Sequence, residues 1–280
     1  MKDKIDLIKV DVTIQKKQAR HVPSNIQADT LFTFMTELDY LFQIIKLKMV
    51  SPRYCVEDIK YLKIKQLPKV AFPMKCFCDI NLHRLKDHLY WYGYYGIAFS
   101  KEWGMKKGIQ PIQYINEESE LRSDFTTALS TALRMPKKQG KDISTLKNYL
   151  LYQLMYLKPY SGKFQNRHHI GKRTKKQIKC FADECEWRFV PDVSKAGYRQ
   201  IYHNFANIKS FSFAEINNAM QGNESISLTF EYSDIKYLIV ETRIAFQELI
   251  EKIGSLSLDE NIEKDLISKI IIWEESEGDF

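Results

Sequence analysis

Glycine and proline are scarce in this chain, 11 and 8 among 280 residues. That scarcity argues against a loop-rich sandwich and against a disordered polymer. No apolar run reaches the ~18 residues that a membrane span needs, so no membrane partner is expected. The N-terminus, MKDKIDLIKVDV, mixes charges into its apolar residues and lacks a signal-peptide core. A cytoplasmic protein is the expectation. Cysteine occurs five times, an odd count, and the cytosol keeps thiols reduced. Free thiols are expected, and no metal. Also missing are GxGxxG, the P-loop, GxSxG, HExxH and the protein-kinase set.

What the chain does have is ordinary globular composition, 44% hydrophobic and 28% charged, with 16 Tyr, 16 Phe and 4 Trp. That is enough to bury a sizeable core. The net charge is +7, unevenly spread. From Lys158 to Lys179 there are eight Lys/Arg and two His without one Asp or Glu, whereas the stretch from Glu241 is net acidic. Such asymmetry fits either a polyanion partner on one face or a solvated loop.

Periodicity outlines the elements. Asp29-Thr30 looks like a helix start, and Leu38, Leu41, Phe42 and Ile45 predict an amphipathic helix over 37–48, stopped before Ser51-Pro52. Val70–Cys78 reads as a strand, Leu82–Tyr92 as a helix, and Gly93–Phe99 as a turn feeding a strand. Gly108–Ile115 reads as a strand that Pro111 places at an edge. Helices follow over 117–135 and 143–157, then a basic loop over 158–177. Ile178–Cys180 and Cys185–Val190 read as one continuing strand. Phe211–Met220 reads as a short helix, Ser227–Phe230 and Ile235–Val240 as strands, Arg243–Ile253 as a helix and Ser268–Trp273 as a last strand. Strands and helices mix without regular alternation. The fold class is therefore α+β, a single domain with a mixed or mainly antiparallel sheet flanked by helices. Residues 1–28 form an arm or edge strand and 29–280 the domain.

Several constellations could carry chemistry. On a strand, Glu184, Glu186 and Arg188 share one face, and Cys185, Trp187 and Phe189 the other, apolar one. The charged face is either a wet Glu–Arg ladder or a carboxylate poised to stabilise a cationic transition state. Arg53 beside Tyr54 offers a phosphate clamp or is a surface turn residue. Cys76 and Cys78 lack the spacing of common zinc sites. Tyr90–Gly96 sets aromatics among glycines, where a flat ligand approaches the backbone or where a core turns. Arg167, His168, His169, Lys172, Arg173, Lys175 and Lys176 are dense enough to meet the phosphates of RNA or DNA.

Taken together, Pro73–Leu82, His88, Tyr92–Phe99, Lys101–Gly104 and Gly108–Tyr114 resemble the AbiGi family. Thr30–Met35 and Ser51–Tyr54 upstream and Glu184–Arg188 downstream add to the resemblance, which covers about residues 29–192. It implies bacterial phage defence by abortive infection. It also implies the label of antitoxin and a cognate toxin or antitoxin protein as partner. More faintly, the order of an Arg after the first helix, an aromatic-rich helix, and a Glu before Phe189-Val190-Pro191 is similar to DarT-like ADP-ribosyltransferases. That similarity implies an ADP-ribosyltransferase-like fold with NAD as cofactor, and Glu186 and Arg53 as catalytic residues. NAD would then meet Thr33, Phe34, Tyr54, His88, Tyr92 and Tyr95, with Thr33 standing where that family often has a His. The acceptor would be a nucleic acid or a protein. The competing expectation is a non-catalytic antitoxin whose strand carboxylates are structural.

Overall fold

The computed structural model describes residues 22–24, 26–65, 67–135, 141–164, 177–202 and 210–278. Most of the expected N-terminal arm and residues 165–176 of the basic stretch lie outside them. The described chain begins with β1 (Thr30–Met35), α1 (Leu38–Leu47), β2 (Met49–Val50), β3 (Arg53–Asp58) and β4 (Lys69–Cys78). It continues through α2 (Leu85–Tyr92), β5 (Tyr95–Ser100), α3 (Lys101–Lys106), β6 (Gln110–Pro111) and β7 (Gln113–Ile115). The paired helices α4 (Glu120–Arg134) and α5 (Lys141–Met155) come next, then β8 (Leu157–Pro159), β9 (Ser161–Phe164), β10 (Gln177–Cys180) and β11 (Glu186–Phe189). The last third holds α6 (Ser210–Met220), β12 (Leu228–Thr229), β13 (Ile235–Val240), α7 (Arg243–Gly254), α8 (Glu260–Ser268), β14 (Ile270–Ile272) and α9 (Trp273–Ser276).

Eight of these strands form one sheet in the order β14-β13-β5-β1-β4-β11-β6, with β3 paired to β4 as well. All neighbours are antiparallel except β13 and β14. The fold is therefore α+β with a mainly antiparallel sheet.

Two sequence expectations need correction here. Thr30 opens the central strand β1, not a helix. Leu31 and Phe32 point to opposite faces and both are buried, so the alternation that marks a half-buried strand is lost. The helix starts only at Leu38. It ends where Lys48 turns left-handed at φ 49 and donates its N–H to the Ile44 and Ile45 carbonyls. Near the C-terminus, α8 occupies residues where periodicity predicts no helix, and the final strand shrinks to Ile270–Ile272.

One sheet face carries Leu31, Phe77, Ile97, Leu238 and Val240 against Leu41 and Ile45 of α1 and Leu249 and Ile253 of α7. In α7 the inward stripe is Ala245, Leu249 and Ile253, while Ile244 is 76% exposed. The opposite face presents Phe32, Cys78, Ala98 and Ile239 to Leu85 and Leu89 of α2 and to Trp273. The first half of β4 runs on beyond these layers, and its Val70, Phe72 and Met74 bury Leu129 of α4 and Leu150 and Leu154 of α5. This ten-residue strand thus ties two cores together.

Gly93 sets the entry to β5. Its φ is +127, and a Cβ there would lie 1.9 Å from the Met35 carbonyl oxygen, so no other residue fits. Among the described residues, strands β9 and β10 pair only with each other, antiparallel and outside the main sheet. Among the described residues no helix is long and apolar enough to cross a membrane.

Candidate functional site: a buried ionic cluster

The charged face of β11 is the interior one. Pairing of Glu186 with Cys78 and of Arg188 with Cys76 puts both side chains on the α2 side of the sheet. Glu186 is 5% exposed and Arg188 0%, while Trp187 and Phe189 are half-buried. The wet ladder expected from sequence is therefore corrected to a buried one. Glu184 is not part of the strand. It ends a single 3-10 turn, Phe181–Glu184, and the next residue, Cys185, adopts a left-handed φ of 42. That turn replaces the continuous strand expected from Ile178 to Val190.

Both carboxylates converge on Lys158, which enters from β8 with its Nζ 2.5 Å from Glu184 Oε2 and 2.6 Å from Glu186 Oε2. The second oxygen of Glu186 accepts from Arg188 Nε at 2.6 Å. Arg188 also donates to the Met155 carbonyl at 2.7 Å and reaches Glu57 of β3 at 3.3 Å. The second oxygen of Glu184 meets Lys179 Nζ at 2.6 Å and accepts from the Tyr92 hydroxyl. The backbone N–H of Glu186 donates to the Tyr114 hydroxyl at 2.8 Å. Three carboxylates (Glu57, Glu184, Glu186) thus face three cations (Lys158, Lys179, Arg188), and the cluster is neutral.

Burial alone would push these carboxyls up, because it penalises the charged form. For Glu186 that push is more than offset by Arg188 and Lys158, which hold it well below the usual range. Glu184 is likewise held down by Lys158 and Lys179 against its burial. Burial works against the Lys158 ammonium too, yet Glu186, Tyr92 and Glu184 keep it firmly protonated.

Aromatic rings close the cluster from the α2 side. Lys179 Nζ lies 4.4 Å from the Tyr92 ring centre, 5.0 Å from Trp91 and 5.3 Å from Phe164, within cation–π reach of all three. His88 packs on Tyr92 at 4.6 Å and on Phe34 at 5.3 Å. Its burial lowers its pKa to about 3, so the imidazole is neutral.

The structure gathers some of the sequence-nominated residues and scatters others. Glu186, Tyr92, His88 and Phe34 meet in and around the cluster. Thr33 is buried on the opposite sheet face, opposite Ile97. Tyr95 is half-buried against the α1–α7 core. Tyr54 packs with Tyr202 and Phe213 near α6, and its backbone N–H donates to Asn217 Oδ1 at 2.7 Å. Arg53 is exposed at the start of β3 and forms no ion pair among the described residues. Arg167, His168, His169, Lys172, Arg173, Lys175 and Lys176 lie outside the described residues.

Sequence reasoning missed Lys158, Lys179, Glu57 and Tyr114 as members of this cluster. A signal was present for two of them. Lys158 and Lys179 bound the acid-free basic stretch, and both ends of that stretch turn inward to neutralise glutamates. Cys76 and Cys78 share the buried face, and burial raises both thiols well above their ordinary range.

Fold and cluster together define an α+β protein whose central carboxylates are closed off by internal cations. Residues 48–241 match the family described as "Putative abortive phage resistance protein AbiGi, antitoxin". The chain is 33% identical over 252 residues to the abortive phage resistance protein AbiGi of Lactococcus lactis subsp. cremoris, covering 82% of this chain and 98% of that protein. The chain therefore belongs to the AbiGi family of abortive-infection, anti-phage defence proteins. No solved structure matches it.

Proposed function

We propose that this protein is the antitoxin of an abortive-infection pair, working in the cytoplasm by binding its cognate toxin and not by turnover. The observation that carries this reading is the engagement of Glu186. A carboxylate that holds a ribose hydroxyl or stabilises an oxocarbenium ion needs an oxygen facing its substrate. Both oxygens of Glu186 are engaged, one by Arg188 and one by Lys158. Arg53, the other residue such chemistry would use, is exposed on β3 and makes no ion pair with it. The antitoxin description of the family supports the same reading. A nucleic-acid contact through the basic stretch would add to this binding role without replacing it.

The test is expression of the chain alone and together with the product of its neighbouring gene. An antitoxin is harmless alone and restores growth when paired. A folded Glu186→Gln variant that still rescues supports the structural role of the carboxylate. Toxicity of the chain alone overturns the reading. So does transfer of label from NAD to nucleic acid or protein that Glu186→Gln abolishes, an outcome that would establish the NAD-dependent ADP-ribosyltransferase instead.

A further inference from the structure

Beside the cluster, α2 and the 3-10 turn before it face β10 across an open cleft of about 670 Å³. That is within the range of small-ligand sites, roughly 300–1,000 Å³. We propose that this cleft binds a nucleoside monophosphate, with the base between Trp91 and Ile178 and the phosphate on Arg84. The proposal goes beyond the antitoxin reading and does not depend on it.

Each part of such a ligand finds a matching group. Trp91 and Ile178, the latter 81% exposed, both line the cleft and offer apolar surface to a flat ring beside the Lys179 ammonium, which stands 5.0 Å from the indole centre. Base–aromatic stacking of this kind tolerates any base. His88 lines the cleft, and its ring makes no hydrogen bond among the described residues. Held neutral by burial, it carries one donor and one acceptor for a heterocycle edge. Gln177 adds an amide. Arg84 is exposed at the mouth and has no ion pair among the described residues, which leaves its guanidinium fork for a phosphate. Asp183 lines the same cleft and can accept from ribose hydroxyls. Glu184, also in the lining, does not contribute, because Lys158, Lys179 and Tyr92 occupy its oxygens.

The test is calorimetric titration of the full-length protein with AMP, adenosine, inorganic phosphate and NAD. AMP is expected to bind, and to weaken by about tenfold or more in Arg84→Glu and in Ile178→Asp, both surface changes that leave the fold intact. Adenosine is expected to bind more weakly than AMP, and phosphate alone not measurably. Absence of AMP binding at millimolar concentration overturns the proposal. So does AMP affinity unchanged in both variants, or phosphate binding as tightly as AMP. NAD binding far more tightly than AMP, with the same sensitivity to Arg84→Glu, would replace the mononucleotide with a dinucleotide. Rescue of growth in the toxin pairing is scored separately, so loss of one property is not mistaken for loss of the other.

Discussion

Arg188 donates its Nε to Glu186, two residues earlier on the same strand, at 2.6 Å, where neither side chain has appreciable access to water. Removing one partner strands the other charge, and buried pairs broken this way cost ~3–5 kcal/mol. Glu186→Ala and Arg188→Ala are each expected to lose stability in that range in urea unfolding. A loss under ~1 kcal/mol would show that water fills the gap cheaply.

Among the described residues, Lys158 is the one cation shared by Glu184 and Glu186. In Lys158→Met the two carboxylates face one another without it, and both carboxyl pKa values rise. The variant is expected to be clearly less stable than wild type at pH 7. Its deficit should shrink as pH falls into the carboxylate range near ~4.3 and the raised groups accept protons. A deficit independent of pH would place the loss in packing instead.

His88 titrates near 6.5 when unperturbed, and burial takes it down to about 3 in the fold. Between those values the unfolded chain binds a proton that the folded one refuses, so stability falls as the pH drops from 6.5 toward 3. The slope is at most ~1.4 kcal/mol per pH unit. Urea unfolding at pH 7.5, 6.5 and 5.5 should show this slope in wild type. A His88→Phe variant that keeps the full slope would assign it to other groups.

Gly93 cannot carry a side chain, whereas at Gly197, with φ +81, a Cβ would meet nothing within 4 Å. Gly93→Ala is expected to accumulate as insoluble protein, because the backbone of β1 must move to admit it. Gly197→Ala should stay soluble and lose only about 1 kcal/mol from its backbone angle. Equal solubility of the two would contradict the close approach at Met35.

Much of the fold was legible because local periodicity reports it. The strand expected at Val70–Cys78 and the one at Ile235–Val240 are present, and the helices expected over 117–135 and 143–157 run over Glu120–Arg134 and Lys141–Met155. Thr30–Met35 was not legible because a strand buried on both faces does not alternate, and Asp29-Thr30 imitates a helix cap. The candidate site was half legible. Spacing two apart correctly put Glu186 and Arg188 on one face, but it could not say that this face points inward. That depends on Lys158 and Glu57, which lie 28 and 131 residues away from their partners on β11. A charged face read without its remote partners looks wet.

The outer margin of the sheet at β6 has a consequence for solubility. The Ile112 N–H donates inward to the Glu186 carbonyl at 3.1 Å, so the alternation of the strand turns position 111 outward. Proline stands there, and it has no N–H to offer. A stray strand from an unfolding neighbour therefore meets a gap in the template, and edge-to-edge aggregation at this margin is discouraged by a single ring.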